Sequence, residues 1–185
     1  MRITGGKAKG RILLFPSSSK ERPTSDFLRE ALFNLLGPLG EKSFLDLFAG
    51  SGSVGIEAAS RGAKEIIFIE KDKKIAAFTQ KNIFACNLDK NCRIIARDFS
   101  AGLSDLFNNK YEFDVVFADP PYSRGLVDKT IKLLKENPVF TKETVVVIQH
   151  SIREDIASLL DEITILKDQR KYGDNALTFL QMERP

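Results

Sequence analysis

Hydrophobic and polar positions alternate along the chain in blocks that predict strands and helices following one another. Short, almost continuous apolar runs predict strands at Ser43–Phe48, Glu65–Glu70, Arg93–Arg97, Phe113–Ala118 and Thr144–Gln149. Apolar residues at helical spacing predict helices between most of them, at Val54–Arg61, Lys74–Phe84, Leu126–Glu136 and Ile152–Leu160. Strands that read as apolar throughout and are joined by helices are typical of a mostly parallel sheet in a doubly wound α/β fold.

Both ends of the chain depart from this alternation. Apolar runs at Glu162–Lys167 and Ala176–Met182 flank a polar turn with no helix between them, so we predict an antiparallel last strand at one sheet edge. Near the N-terminus, weak alternation around glycines predicts a small β-hairpin, and a helix is predicted from Thr24 to about Gly37. We expect an N-terminal arm at residues 1–22 and one α/β domain at residues 23–185.

The composition is that of a single globular domain in water. The 185 residues are 43% hydrophobic and 29% charged, and the apolar runs are far shorter than the ~20 residues that a membrane span requires. Two cysteines and one histidine are too few for a disulfide framework or a metal site. We therefore expect a cytoplasmic protein that has free thiols and neither a membrane nor a metal partner.

The positive charge is concentrated in the N-terminal arm. Residues 1–22 hold six basic residues against Glu21 alone, a net charge of +5, while the remaining 163 residues carry −2. A basic arm of this kind suits contact with the phosphates of a nucleic acid. A solvated tail without a partner is an equally good interpretation of this feature taken alone.

The first predicted strand leads into a glycine-rich turn that opens a helix. Gly50, Gly52 and Gly55 have the G-x-G-x-x-G spacing, which permits a tight turn and lets a ligand approach the backbone N–H groups of a helix N-terminus. The pattern predicts a nucleotide-type binding site, although a plain strand–helix turn remains an alternative.

Carboxylates end three successive predicted strands, at Asp46, Glu70 and Asp98. One alone would be interpreted as a helix cap, but three at the edge where such sheets bind ligands favour a site. Asp46 would repel the pyrophosphate of a nicotinamide cofactor and suits a cationic ligand such as S-adenosylmethionine. Glu70 would then bind the ribose hydroxyls and Asp98 the adenine amino group.

The fourth predicted strand runs directly into Asp119-Pro120-Pro121-Tyr122. The Asp119 carboxylate and the Pro120 carbonyl can accept the hydrogens of an exocyclic base amine, and the prolines hold these acceptors in place. Tyr122 offers a flat face on which a base can stack. An ordinary proline-containing turn is the alternative.

These motifs resemble the RsmD family of class I S-adenosylmethionine-dependent methyltransferases. Besides the acidic and glycine motifs, the likeness is carried by Gly5-Gly6, Gly10-Arg11, Arg22-Pro23-Thr24, Arg29–Leu36 and Tyr172-Gly173. The resemblance implies a Rossmann-like methyltransferase domain at residues 23–185. It implies methyl transfer from S-adenosylmethionine to N2 of a guanine in 16S ribosomal RNA, within an assembling 30S subunit. We expect the enzyme to be a monomer.

The motifs and the resemblance together assign candidate residues to each part of the site. The catalytic candidates are Asp119, Pro120, Pro121 and Tyr122. The candidate cofactor contacts are Asp46, Phe48, Gly50, Ser51, Gly52, Glu70, Lys71, Asp98 and Phe99. The candidate RNA contacts are Arg2, Lys7, Lys9, Arg11, Arg22 and Thr24.

Three other functions are weighed against this one. An adenine-N6 DNA methyltransferase also uses Asp-Pro-Pro-Tyr, but 185 residues leave little room for a target-recognition region. Asp46 disfavours a nicotinamide-dependent oxidoreductase. A non-enzymatic RNA-binding module would explain the arm and leave the Asp119–Tyr122 loop unexplained. We expect His150, after the fifth strand, to be structural or partly exposed, because direct methyl transfer needs no imidazole.

Overall fold

Strands and helices alternate through most of the chain, as the sequence predicts. The computed structural model describes residues 1–15, 24–122 and 125–184, and within these residues seven strands of a mixed sheet are interleaved with five α-helices. The chain divides into two units, Met1–Phe99 and Ser100–Pro185. No helix in these described ranges combines the length and apolar character of a membrane span. Cys86 and Cys92 are free thiols, as expected.

The first unit contains the first three strands, which are parallel to one another. Its elements are α1 (Asp26–Leu36), β1 (Ser43–Asp46), α2 (Ser53–Ser60), β2 (Glu65–Ile69), α3 (Lys73–Ala85) and β3 (Cys92–Ile95). Strand β2 lies between the other two, so the order within this unit is β3-β2-β1. Phe44 and Phe68, on β1 and β2, are completely buried. The carboxyl ends of the three strands therefore lie at one edge.

The second unit contains the remaining strands and both directions of pairing. Its elements are α4 (Phe99–Asn108), β4 (Phe113–Ala118), α5 (Leu126–Glu136), β5 (Phe140–Ser151), β6 (Thr164–Tyr172) and β7 (Asn175–Met182). Strands β4 and β5 are parallel, and β7 is antiparallel to both β5 and β6. The predicted α/β class, with mostly parallel strands and an antiparallel last strand, is confirmed.

One helix prediction fails in the second unit, and one helix that forms there was not predicted. The helix predicted at Ile152–Leu160 is wrong, because only a short 3-10 turn, Ala157–Leu159, forms there. The side chain of Asp155 accepts from the backbone N–H of Ala157 at 2.9 Å, a local hydrogen bond that competes with a continuous helix. Helix α4 was not predicted, because its one glycine and two serines have weak helix propensity.

The N-terminal arm folds back on itself, as predicted for a small hairpin. Arg2 and Ile12 form an antiparallel bridge. The N–H of Ile3 donates to the Arg11 carbonyl at 2.9 Å, and the N–H of Gly10 donates to the Ile3 carbonyl at 2.8 Å. The described part of the arm is thus ordered by its own backbone hydrogen bonds.

The arm also docks on the end of α2. The N–H of Lys7 donates to the Ser60 carbonyl, and the N–H of Ala8 donates to the Ser60 hydroxyl, both at 2.8 Å. A Cβ at Gly6 would lie 1.9 Å from the Ser60 carbonyl oxygen, so only glycine fits there. Two adjacent arm residues therefore bind one residue of the helix.

A buried ionic cluster connects the arm to α1 and α2. The Glu57 carboxylate, which is completely buried, accepts from the N–H and hydroxyl of Thr4 at 2.8 and 2.9 Å. It also accepts from Nε of Arg61 at 2.8 Å and from Nε of the fully buried Arg29 at 3.3 Å. Arg29 in turn donates to the backbone carbonyl of Arg2. The Glu57 carboxylate therefore binds residues of three segments, which are the arm, α1 and the C-terminal end of α2.

Candidate active site

The glycine-rich turn between β1 and α2, residues 47–52, has the backbone geometry that its sequence predicts. Gly50 and Gly52 have φ values of 52° and 77°, in the left-handed region that favours glycine. Gly52 caps α2, and a Cβ at Gly55 would lie 2.2 Å from the Phe68 ring. The third glycine thus allows α2 to pack closely on β2, the role expected of it in this motif.

Two predicted cofactor residues hold this turn in place. The buried Asp46 accepts from the Gly55 N–H through Oδ2 at 3.2 Å. Glu70 accepts from the Gly50 N–H through Oε2 at 2.9 Å and from the Asp72 N–H through Oε1 at 2.8 Å. Both carboxylates therefore shape the backbone that would meet a ligand, in addition to the direct contacts predicted for them.

Two polar residues of α3, which the sequence analysis missed, support the same turn. The hydroxyl of Thr79 donates to the Gly50 carbonyl at 2.7 Å. The buried amide of Asn82 donates to the carbonyls of Ser51 and Leu14, at 3.1 and 2.8 Å, and accepts from the Leu14 N–H at 2.7 Å. Thr79 and Asn82 lie three residues apart on the buried face of α3, which is the sequence signal that could have revealed them.

The remaining predicted cofactor residues lie near the ends of β1, β2 and β3. The rings of Phe48 and Phe99 pack with their centroids 4.6 Å apart, and Phe99 is buried while Phe48 is half-buried. Lys71 and Asp98 are exposed. A Cβ at Gly50 would meet nothing within 4 Å, so the backbone of the turn is open to a ligand.

The Asp-Pro-Pro-Tyr segment follows β4 in the second unit. Asp119 and Pro121 are half-buried, Pro120 is buried and the Tyr122 side chain is 40% exposed. The amide of Gln149, on β5, donates to Asp119 Oδ2 at 2.9 Å and lies 3.5 Å from the Tyr122 hydroxyl.

A second amide residue holds the tyrosine. The Tyr122 hydroxyl donates to Oδ1 of Asn175, the first residue of β7. Neither Gln149 nor Asn175 was predicted as a site residue. A glutamine directly after the apolar run Val145–Ile148 of a buried strand was the available signal for the first of them.

Burial sets the protonation of two groups in this part of the chain. It raises the pKa of Tyr122, and the neighbouring Asp119 carboxylate raises it further, so the phenol stays protonated and can donate. Burial also lowers the pKa of His150, whose Nε2 lies 2.7 Å from the Thr178 hydroxyl. His150 is 1% exposed, so of the two predicted alternatives, structural or partly exposed, partial exposure is wrong.

The predicted RNA contacts lie mostly on the surface of the arm. Arg2, Lys7, Lys9 and Arg11 are exposed, and Thr24 is half-buried with its carbonyl accepting from Arg29 at 3.3 Å. Arg22 lies outside the described residues. Among the residues that are described, no cluster of histidine, cysteine or carboxylate side chains could hold a metal ion.

The sheet, its glycine turn, the acidic strand ends and the Asp119–Tyr122 segment define a class I methyltransferase fold. A family model described as "Conserved hypothetical protein 95" matches residues 1–181, and the chain belongs to this family, the RsmD family.

Similar proteins extend over most of the chain. The ribosomal RNA small subunit methyltransferase D of Escherichia coli K12 is 36% identical over 160 residues, covering 86% of this chain and 79% of that protein. Its namesake in Haemophilus influenzae is 40% identical over 138 residues, covering 74% of this chain and 72% of that protein. The solved structure of Escherichia coli yhhF has a TM-score of 0.84 at 32% identity, covering 100% of this chain and 99% of that one.

Proposed function

We propose that this protein transfers a methyl group from S-adenosylmethionine to the exocyclic N2 of a guanine in 16S ribosomal RNA. The observation that carries the proposal is the carboxylate of Asp119, held by a buried amide beside the stacking face of Tyr122, directly after β4. The names of the relatives, which are small subunit ribosomal RNA methyltransferases, support the substrate class.

The residues of the first unit fit the proposed cofactor. The glycine turn exposes its backbone at Gly50, Phe48 supplies an apolar ring, and Asp98 is an exposed acceptor for an amino group. Glu70 lies at the end of β2, where a carboxylate that binds ribose is expected. When bound, S-adenosylmethionine supplies an electrophilic methyl group on a sulfonium.

The residues of the Asp119–Tyr122 segment orient the base. Asp119 and the Pro120 carbonyl accept the two hydrogens of the amine, which favours a more tetrahedral nitrogen whose lone pair can attack. Stacking on the Tyr122 ring contributes about 1–3 kcal/mol to base binding. Asp119 then takes up the proton that the amine loses, so the reaction needs no histidine.

The N-terminal arm positions the RNA. Its exposed cations contact phosphates and give salt-dependent affinity, whereas base identity is determined at the Asp119–Tyr122 segment. An unpaired base in an RNA loop is turned outward at a cost of a few kcal/mol. We propose an assembling 30S subunit as the partner, and a monomer that acts in the cytoplasm.

The decisive experiment follows labelled methyl groups. We expect S-adenosylmethionine to label N2-methylguanine in 16S RNA of undermethylated 30S particles, and not duplex DNA. Asp119→Ala should abolish turnover while S-adenosylhomocysteine still binds by calorimetry. Asp128→Ala, which removes an exposed aspartate of α5, is the matched control and should retain activity. Label in N6-methyladenine would favour the DNA methyltransferase, and cofactor binding without label in either substrate would contradict the proposal.

A further inference from the structure

We propose that Gln149 is a positioning residue that holds Asp119 and Tyr122 in the geometry required to receive the target amine. The inference rests on the proposed function for the roles of Asp119 and Tyr122. Gln149 itself is 4% exposed and lies behind the residues that touch the base.

Strand pairing places Gln149 beside Asp119. Strands β4 and β5 are parallel with Ala118 opposite Ile148, so the next residues along each strand are neighbours. The Gln149 amide nitrogen donates to Asp119 Oδ2 at 2.9 Å. This orientation of the amide follows from its surroundings, because the opposite one would set the amide oxygen against a carboxylate.

Burying the Gln149 amide costs more free energy than burying an aliphatic side chain at the same position would. Gln149 Oε1 is buried and has no hydrogen-bond partner among the residues described. An unsatisfied carbonyl oxygen lowers stability, and an aliphatic side chain of similar volume, like those at Val145–Ile148, would avoid that cost. The presence of glutamine here is therefore explained by its amide nitrogen, which donates to Asp119 and contacts the Tyr122 hydroxyl.

Tyr122 is held from a second direction. Its hydroxyl donates to Asn175 Oδ1, and the Gln149 amide nitrogen lies 3.5 Å from the Tyr122 hydroxyl oxygen. The phenol is thereby held at its polar end while the residue as a whole stays 40% exposed. Gln149 contacts both residues that would grip the base, so its loss should misplace both.

The test compares Gln149→Leu with the wild type. A misplaced acceptor lowers the rate of a positioned reaction by up to about 100-fold. We expect Gln149→Leu to lower kcat for 30S particles about tenfold to 100-fold, with little change in KM or in S-adenosylhomocysteine affinity. Gln181→Leu, which removes an amide bonded to the Lys142 carbonyl, is the matched control and should keep the wild-type kcat.

A second variant separates positioning from packing. Gln149→Glu keeps the shape, and its neutral acid can donate to Asp119 as the amide does, whereas its anion repels that carboxylate. Two carboxyl groups this close share a proton, so the apparent pKa of the pair rises above the ~4.3 of an ordinary glutamate. We expect the activity of Gln149→Glu, relative to the wild type, to recover as pH falls from 8 to 5. Gln149→Leu should show no such recovery.

An NMR titration tests the inference without a measurement of turnover. Burial raises the pKa of Tyr122 and the contact with Gln149 opposes that rise, so removing the contact should raise the titration midpoint of the Tyr122 ring carbon in NMR spectra further. An inactive wild type would contradict the proposed function, and this titration would still measure the contact. The inference is overturned by a folded Gln149→Leu variant with wild-type kcat, by a Gln149→Glu pH profile like that of the wild type, or by an unmoved Tyr122 titration.

Discussion

The buried carboxylate of Glu57 provides a direct test of how the N-terminal arm is held. Glu57→Gln keeps the shape of the side chain but replaces one acceptor oxygen with an NH2 donor. Glu57 accepts four hydrogen bonds, two on each oxygen, from Thr4, Arg29 and Arg61. In the variant, two of these donors would face another donor, and the buried Arg29 would lose the charge of one of its two carboxylate partners, keeping only Asp26.

The expected cost follows from the burial of the Arg29–Glu57 pair. Breaking a buried ion pair by removing one partner costs about 3–5 kcal/mol. Arg29 keeps its hydrogen bond to Asp26 at 2.9 Å, so we expect the lower value, about 3 kcal/mol. For a chain of this length each kcal/mol lowers Tm by about 2–4 °C, which gives a fall of roughly 6–12 °C.

Calorimetric melting and limited proteolysis measure this effect. Glu65→Gln, an exposed glutamate at the start of β2, is the matched control and should change stability by no more than about 0.5 kcal/mol. Because Thr4 loses one of its two hydrogen bonds to this side chain, trypsin should also cleave the arm of Glu57→Gln faster than that of the control. A Glu57→Gln variant that melts within 2 °C of the wild type would refute the reasoning.

Three further predictions test other parts of the structure. Gly55→Ala should cost about 1–3 kcal/mol and weaken S-adenosylhomocysteine binding in calorimetry, because its Cβ would meet the Phe68 ring at 2.2 Å. Gly40→Ala, with nothing within 4 Å of its Cβ, is the control and should bind normally. Alanine at three exposed cations of the arm, Lys7, Lys9 and Arg11, should weaken 30S binding and reduce its salt dependence by about one unit of slope per lost phosphate contact. An unchanged slope would exclude them as phosphate contacts. Since the pKa of His150 is lowered, the unfolded chain takes up that proton first, so denaturant titrations should show wild-type stability falling as pH drops below about 6.5. Folded His150→Gln should lose less over that range, and equal losses would contradict this assignment.

The sequence predicted the features that depend on residues close to one another along the chain. Periodicity located all seven strands, and the G-x-G-x-x-G spacing located the turn whose glycines adopt positive φ. It failed where local hydrogen bonds or weak propensity opposed the pattern, in the segment after Ser151 and in α4. The apolar spacing predicted a helix after Ser151 that does not form, whereas α4 was not predicted although Phe99, Leu103 and Leu106 have helical spacing.

The supporting side chains of the site could not be predicted in this way. Gln149 meets Asp119 across 30 positions of sequence, and Asn82 meets Leu14 across 68. A polar residue in a buried segment indicates that some partner exists, but its identity depends on which strands and helices become neighbours. The same holds for Glu57, which the pattern of α2 marks only as one polar residue in an apolar helix.

Asn82 connects the arm to the glycine turn within the first unit. Both amide hydrogens and the amide oxygen are engaged, by Leu14 on one side and Ser51 on the other. No rotation of this side chain can follow one segment without releasing the other. A displacement of the glycine turn should therefore also move Leu14 in the arm, and solvent exchange of the Leu14 amide proton should report on events at the turn.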